Sequence, residues 1–399
     1  MTGSTRPAAV RLELRHVAVA LRLPFEASHG TEALREVVVV RIEEADGTVG
    51  WGECDALTHP TYTAEYAAGA FALLRDVVGP ALLAGHDVSG LLRWHPMARA
   101  ALATARLDAE SRRQGVSLAA ALGAGPAGGP AEAVPLTVAR TAVLGRAASV
   151  EQALGWVEAA RSAGAVLVKL KVAGPADLDV VARVRAAFPT VGLAADANGA
   201  LAGIDPADLA RRVDPLGLRY LEQPYPSDDL LALATLRRHG ATPICLDESV
   251  GSLGDARTAH ALGALDVVNV KPARLGGPAE AVAVSAWARE HGIGAFCGGM
   301  LELGIGRAAA AAVAAVVAAN PATGAAGAAA GVVGAAAGGA LPTDLGPSAA
   351  YVERDLAGPV VCDPAGRLVV PDGPGIGVEV EQAVLEAATV QVAVLVSGG

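Results

Sequence analysis

Five ionisable residues and one glycine recur about 25 residues apart through the middle of the chain: Lys171, Asp196, Glu222, Asp247, Lys271 and Gly298. Each closes a short apolar run, in the phrases VLVKLKV, VGLAADAN, LRYLEQP, TPICLDES, LDVVNVKP and GIGAFCGGM. Asp196, Glu222 and Asp247 therefore stand at three successive repeats. Carboxylates brought together in this way repel one another unless a cation stands between them. A hard divalent ion with oxygen ligands suits such a set, and the absence of histidine at these positions disfavours zinc. Mg²⁺ is the expected ion, with Mn²⁺ as the alternative. Taken singly, each acid could equally be a salt-bridge partner.

Lys169 and Lys171 are two residues apart on one extended run, so their side chains point the same way. Two amines beside a metal, partly withdrawn from water, are expected to have lowered pKa values, which would make a lysine usable as a base near neutral pH. Lys271 faces them four repeats later, and Arg274, one helical turn beyond, has two equal readings: it depresses Lys271 further, or it forms a surface salt bridge. The corresponding chemistry is removal of a proton next to a carboxylate. That reaction creates two negative oxygens, which pre-placed positive charge must stabilise. The alternative for the lysines is plain charge balance with the carboxylates.

The interval that carries these residues defines the fold. One buried strand and one return helix fill about 25 residues, close to the ~30 per unit implied by eight units in ~250 residues. Continuous apolar strands alternating with Ala/Leu-rich helical segments imply a parallel sheet covered on both faces. The fold class expected is α/β, a modified (β/α)8-type barrel of form (β/α)7β, with the ionisable residues at the C-terminal strand ends where such barrels do chemistry. The helix over Ala308–Ala319 should be buried, and an eighth, degenerate strand is expected near Gly339–Asp344, after the low-complexity tract Ala322–Ala340.

The N-terminal part is different. Alternation from Val10 to Ile42, with a DGT turn at Asp46–Thr48, predicts antiparallel strands, and Tyr66–Leu122 has a helical period. Residues 1–130 are thus read as an α+β domain, 131–349 as the barrel, and about 350–399 as short strands and a turn-rich return to the first domain. The Gly/Pro-rich stretch Gly123–Ala133 marks the boundary. Trp51, Trp94, Trp156 and Trp287 sit in regular patterns and are expected in the core.

Bulk properties narrow the function. The formal charge of -10 without a basic cluster makes nucleic acid an unexpected partner. The Ala-rich run is too short and too weakly apolar for a membrane span. The N-terminus lacks the apolar stretch of a secretory signal, and the four cysteines form no CxxC pair, so a cytoplasmic protein with reduced thiols is expected. Self-association is left open.

The series KLKV, DAN, LEQP, LDES, NVKP and CGGM resembles the enolase superfamily and its muconate-lactonizing subgroup; enolase-superfamily sites with a lysine or histidine base and Mg²⁺ are a worked example of pKa tuning. The phrases WGEC, PICLDES, KPARLGG and CGGMLELGIGRA resemble the family that joins o-succinylbenzoate synthases with N-acylamino acid racemases. The resemblance implies a capping domain closing over the barrel, a small-molecule carboxylate substrate, and metal ligands Asp196, Glu222 and Asp247. It implies Lys171 as base and acid, assisted by Lys169, with Lys271 on the opposite face, and Asn198 and Glu248 supporting the metal site.

By the same resemblance, substrate would meet Phe25, Ser28, His29, Thr58, His59 and Tyr62 in two lid loops, and Gly298, Gly299 and Met300 beyond the seventh strand. The two histidines could equally be solvated loop residues. Leu303 replaces the family's usual Ser or Thr and is expected to reshape one pocket wall. The implied reaction is dehydration in menaquinone synthesis, with N-acylamino acid racemisation or dipeptide epimerisation as the alternative, and a non-catalytic barrel relative as a weaker one.

Overall fold

The computed structural model describes residues 7–27, 30–124, 134–319 and 341–398. Ser28, His29, the tract 322–340 and most of the Gly/Pro-rich stretch lie outside the described residues, as does the side chain of Phe25.

The N-terminal alternation forms antiparallel strands β1 (Ala9–Ala27), β2 (Gly30–Glu44) and β3 (Val49–Cys54). Leu12 pairs with Ile42 and Leu14 with Val40, which places these side chains on one buried face. Helices α1 (Ala67–Leu73), α2 (Gly79–Leu83) and α3 (Pro96–Gln114) cover that face. Helix α3 can approach because β3 carries Gly50 and Gly52. A Cβ at either would stand 1.9 Å from the carbonyl oxygen of Ala105 or Ala101. Helix α4 (Leu118–Gly123) follows, capped by Ser117. Trp51 and Trp287 are buried and Trp156 half-buried, but Trp94 is 80% exposed. It falls in the turn before α3, where Leu92 and Met97 already fill the core positions.

The start of α3 is held from a distance. Glu65 accepts hydrogen bonds from the amides of Met97 (2.7 Å) and Ala98 (3.1 Å), donors that a helix start leaves unpaired. Burial pushes Glu65 up to about 7 against the pull of these two amides. Between the ordinary glutamate value of 4.5 and about 7 the folded state keeps a proton that the unfolded chain has released. This group therefore lowers stability as pH rises through that window. Glu65→Gln is expected to gain melting temperature relative to wild type as pH goes from 5 to 7.5, and parallel melting curves would refute the shift.

After strand β4 (Thr137–Val138) come seven parallel strands in chain order: β5 (Thr141–Leu144), β6 (Leu167–Lys171), β7 (Leu193–Asp196), β8 (Leu221–Glu222), β9 (Ile244–Leu246), β10 (Val267–Val270) and β11 (Gly294–Cys297). The return helices are α5 (Val150–Ser162), α6 (Asp177–Ala187), α7 (Pro206–Val213), α8 (Leu230–His239), α9 (Leu253–Ala261), the pair α10 (Pro272–Leu275) and α11 (Pro278–Glu290), and α12 (Gly304–Ala319). The Ala-rich α12 is buried almost throughout, as expected. The barrel closes where the degenerate strand was expected. The Thr141 amide donates to Thr343 O (2.7 Å), and the Asp344 amide to Cys297 O (3.1 Å), joining β5 to β11 through residues 343–344.

Side chains inside the barrel lie in layers. Leu167, Ala194, Tyr220, Cys245, Val267 and Phe296 form an apolar floor. The residues two further along each strand point the same way, and these are Lys169, Asp196, Glu222, Asp247, Asn269 and Gly298. A polar layer thus rests directly on the floor.

The C-terminal stretch adds β12 (Leu368–Val369), which pairs with β4, helix α13 (Gln382–Ala388), and β13 (Thr389–Val396). Strand β13 lies antiparallel to β1 and completes a four-stranded sheet in the order β13-β1-β2-β3. The two parts of the molecule are tied by Arg35 of β2. Fully buried, it donates to the carbonyls of Asp55 (2.7 Å), Ala56 (3.2 Å) and Leu301 (3.0 Å).

Candidate active site

A cavity of about 340 Å³ opens at the C-terminal ends of the barrel strands, and Lys169, Lys171, Asp196, Glu222 and Lys271 all line it. The apolar floor beneath closes the site on one side. Asp247 stands just behind the wall, covered by Tyr62, Lys271 and Arg274.

Each carboxylate of the trio bonds a cationic side chain. Lys171 Nζ donates to Asp196 Oδ2 (2.5 Å), Lys169 Nζ to Glu222 Oε2 (2.6 Å), and Lys271 Nζ to Asp247 Oδ2 (2.6 Å). Lys169 also bonds Asp344, and Arg274 bonds Asp247. Burial opposes ionisation of Asp247, but the Arg274 guanidinium and Lys271 ammonium hold it well below the usual carboxylate range. Lys171 and Lys169 likewise lower Asp196 against burial.

The expected lowering of the lysine pKa values is not found at Lys169 or Lys271. Burial works against the charge of Lys169, yet Asp344 and Glu222 keep its pKa far above the ordinary value. For Lys271, burial is again overcome, by Asp247 and then Tyr62. Arg274 acts on Lys271 in the anticipated direction but is outweighed, because its own guanidinium is spent on Asp247. Lys171 is the most exposed of the three amines, with 20% of its side chain accessible. Besides Asp196 it donates to Asn198 Oδ1 (2.7 Å), whose Nδ2 donates to Glu248 Oε1 (2.8 Å).

Among the described residues no three acidic, histidine or cysteine side chains already form a metal cluster. The chemistry of the donor set still fits a hard divalent cation. Burial pushes Glu222 up to about 8; Lys169 opposes this, while Asp196, Asp247 and Asp344 add to it. The oxygens Asn269 Oδ1, Asp344 Oδ1 and Glu248 Oε2 are buried without a hydrogen-bond partner among the described residues. Excess negative charge and unpaired oxygens are what a bound cation relieves.

The remaining predicted residues divide. Tyr62, Gly299 and Met300 line the cavity, and Tyr62 accepts from Lys271 (3.1 Å) and Arg274 (3.1 Å). His59 is exposed, and neither it nor Thr58 is part of the lining. Leu303 does not shape the pocket: it is fully buried in the core, and its amide donates to Glu53 Oε1 (2.6 Å). The wall there is formed by Leu301, held at φ +58.

Gly298 sits against Asn269, a residue the sequence reading missed. Asn269 Nδ2 donates to Glu222 Oε1 (2.8 Å). A Cβ on Gly298 would lie 2.1 Å from Asn269 Oδ1. Gly298→Ala is therefore expected to turn Asn269 away from Glu222 and lower kcat/KM by about 10–100-fold, as loss of an outer support does. An Mg²⁺ titration with steady-state assay checks this, and activity within twofold of wild type would count against it. Asp344 was also missed as a site residue, as were Arg307 and Tyr351, which line the cavity and bond each other (2.7 Å).

Family comparisons agree with this layout. Residues 9–123 match the mandelate racemase / muconate lactonizing enzyme N-terminal domain, and residues 150–384 match the enolase C-terminal domain-like family. The chain is 38% identical to an N-succinylamino acid racemase from an Amycolatopsis species, over 92% of this chain and 94% of that protein. It is 35% identical to an o-succinylbenzoate synthase from Geobacillus stearothermophilus, over 94% of each. A solved enolase superfamily member from Listeria innocua superposes with a TM-score of 0.84 at 28% identity, covering 98% of this chain and 100% of that one. Barrel, covering sheet and matched domains together make the chain a member of the enolase superfamily, in its mandelate racemase and muconate lactonizing branch.

Proposed function

We propose that the chain is an o-succinylbenzoate synthase, removing water from 2-succinyl-6-hydroxy-2,4-cyclohexadiene-1-carboxylate to give o-succinylbenzoate for menaquinone synthesis. The observation that carries this reading is that Lys171 and Lys271 reach one cavity from β6 and β10, with the acidic strands between them. Relatives at 35% and 33% identity are named for this reaction.

Asp196, Glu222 and Asp247 would hold Mg²⁺ or Mn²⁺, which when bound supplies positive charge to the substrate carboxylate. Lys171, freed of its proton, takes the hydrogen on the α-carbon and leaves an enediolate. It then gives that proton to the departing hydroxyl on the same face, so water leaves and the ring becomes aromatic. Asn198 and Glu248 orient Lys171 through the bonded chain described above. Lys169, fixed between Glu222 and Asp344, contributes charge rather than proton transfer.

A second reading is favoured by Lys271. Held by Tyr62 and Asp247, it offers the other face of a bound acid its own amine, as racemisation of N-acylamino acids or epimerisation of dipeptides needs. Turnover of the cyclohexadiene should be compared with deuterium uptake by N-succinyl amino acids in D₂O. Dehydration much faster than exchange supports the synthase; the reverse supports the racemase. Neither activity, with no Mg²⁺-dependent spectral change, would leave a non-catalytic barrel.

A further inference from the structure

Gln223 follows Glu222 at the end of β8 and does not line the cavity. It is 1% exposed and stands at φ +37, a left-handed angle that a residue other than glycine adopts at a cost and keeps only where its surroundings impose it. Its Oε1 accepts from the amides of Asp247 (3.1 Å) and Ser249 (3.2 Å), and its Nε2 donates to Tyr225 O (2.9 Å) and Ser249 Oγ (2.7 Å). These bonds use both lone pairs and both protons of a carboxamide. A side chain of similar length without that set would leave buried groups unpaired.

The backbone of the same residue holds a second turn. Gln223 O accepts from the Gly199 amide (2.7 Å), and Pro224 O accepts from the Leu201 amide (3.0 Å), so the turn after β7 rests on the chain that leaves β8. That turn carries Asn198, itself at φ +42. The turn held by the Gln223 side chain carries Glu248, between the two anchored amides. Asn198 Nδ2 donates to Glu248 Oε1 (2.8 Å), and Asn198 Oδ1 accepts from Lys171 Nζ (2.7 Å). Gln223 therefore holds both partners of the bond that orients this amine.

We infer that Gln223 is a positioning residue: by fixing the turns after β7 and β9 at once, it sets the Glu248–Asn198 pair, and through it the place of the Lys171 amine. The inference rests on Lys171 being the proton-transfer group of the proposed function. Loss of the carboxamide releases residues 247–249 first, so Asn198 loses its acceptor and no longer steers Lys171, whose other bond is to Asp196. Because Gln223 is outside the cavity lining, the change falls on kcat and not on KM.

Gln223→Met keeps the length of the side chain and removes its four bonds. Its kcat should fall about 10–100-fold, the scale on which loss of an outer support acts, with KM within about threefold of wild type. Glu248→Ala should cost a similar factor. The double variant Gln223→Met/Glu248→Ala should lose little more than either single, because both break one chain of contacts; losses that multiply would overturn the inference. A second readout needs no substrate. In NMR of the full chain isotope-labelled at asparagine, with and without Mg²⁺, the side-chain amide protons of Asn198, assigned by their loss in Asn198→Ala, should exchange slowly in wild type and fast in Gln223→Met. Unchanged exchange would overturn the inference whatever the substrate is. Fast exchange in the variant, alongside a wild type that turns over neither substrate, would uphold the placement of Asn198 by Gln223 and remove the proposed function instead. If Gln223→Met does not fold, Ser249→Ala removes only the bond to Nε2 and should show the same two changes to a smaller extent; neither change in it would count as refutation.

Discussion

Lys171→Ala is expected to lose about 10²–10⁴ of kcat/KM, the range that a positioned proton-transfer group contributes, while still binding Mg²⁺. The loss follows from geometry: Lys171 is the amine with most access to the cavity and is not locked between two carboxylates as Lys169 is. Lys271→Ala tests what Lys271 adds under each reading of the site. Under the synthase reading it slows dehydration but leaves hydrogen exchange through Lys171 on one face. Under the racemase reading it abolishes exchange from one enantiomer of the substrate and spares the other. Rates of α-deuteration for D and L substrates, followed by NMR, give the answer. Normal turnover by Lys171→Ala would remove the base from the scheme.

Asp247→Asn is expected to have the largest effect on stability of any single change at the site. Lys271 and Arg274 are buried and both rest on this one carboxylate. Breaking a buried ion pair from one side leaves uncompensated charge and costs about 3–5 kcal/mol. Urea unfolding with and without Mg²⁺ measures both consequences: a lower midpoint in the absence of metal, and loss of the stabilisation that Mg²⁺ gives to wild type. A midpoint close to wild type with the Mg²⁺ effect intact would show that neither cation depends on Asp247.

The sequence made some of this site legible and hid the rest for identifiable reasons. Strand-end residues from Lys171 to Gly298 could be read because a parallel strand buried on both faces is an unbroken apolar run, and a polar residue at its end is conspicuous. Asn269 sits inside such a run, so it drew no attention. The signal was there in parity, since Asn269 is two residues before Lys271 and must share its direction. Asp344 follows the low-complexity tract, where no period marks a strand, and only the hydrogen bonds to β5 and β11 reveal that this segment closes the barrel. The raised pKa values of Lys169 and Lys271 could not be read at all. They depend on which carboxylate each amine touches, and the spacing that suggested mutual repulsion gave no view of those partners. Trp94 failed for a related reason: a helical-looking pattern next to a turn does not say which of Leu92 and Trp94 turns inward.

Arg35 has a bearing on the rigidity of the cavity wall. By gripping the carbonyls of residues 55, 56 and 301 at once, it fastens the first sheet to the loop after β3 and to the loop after β11. These pieces cannot swing apart without stranding a guanidinium in a dry interior. Leu301, which it grips, and Leu57, next to Ala56, both line the cavity, so part of the cavity wall is fixed by a contact made outside it.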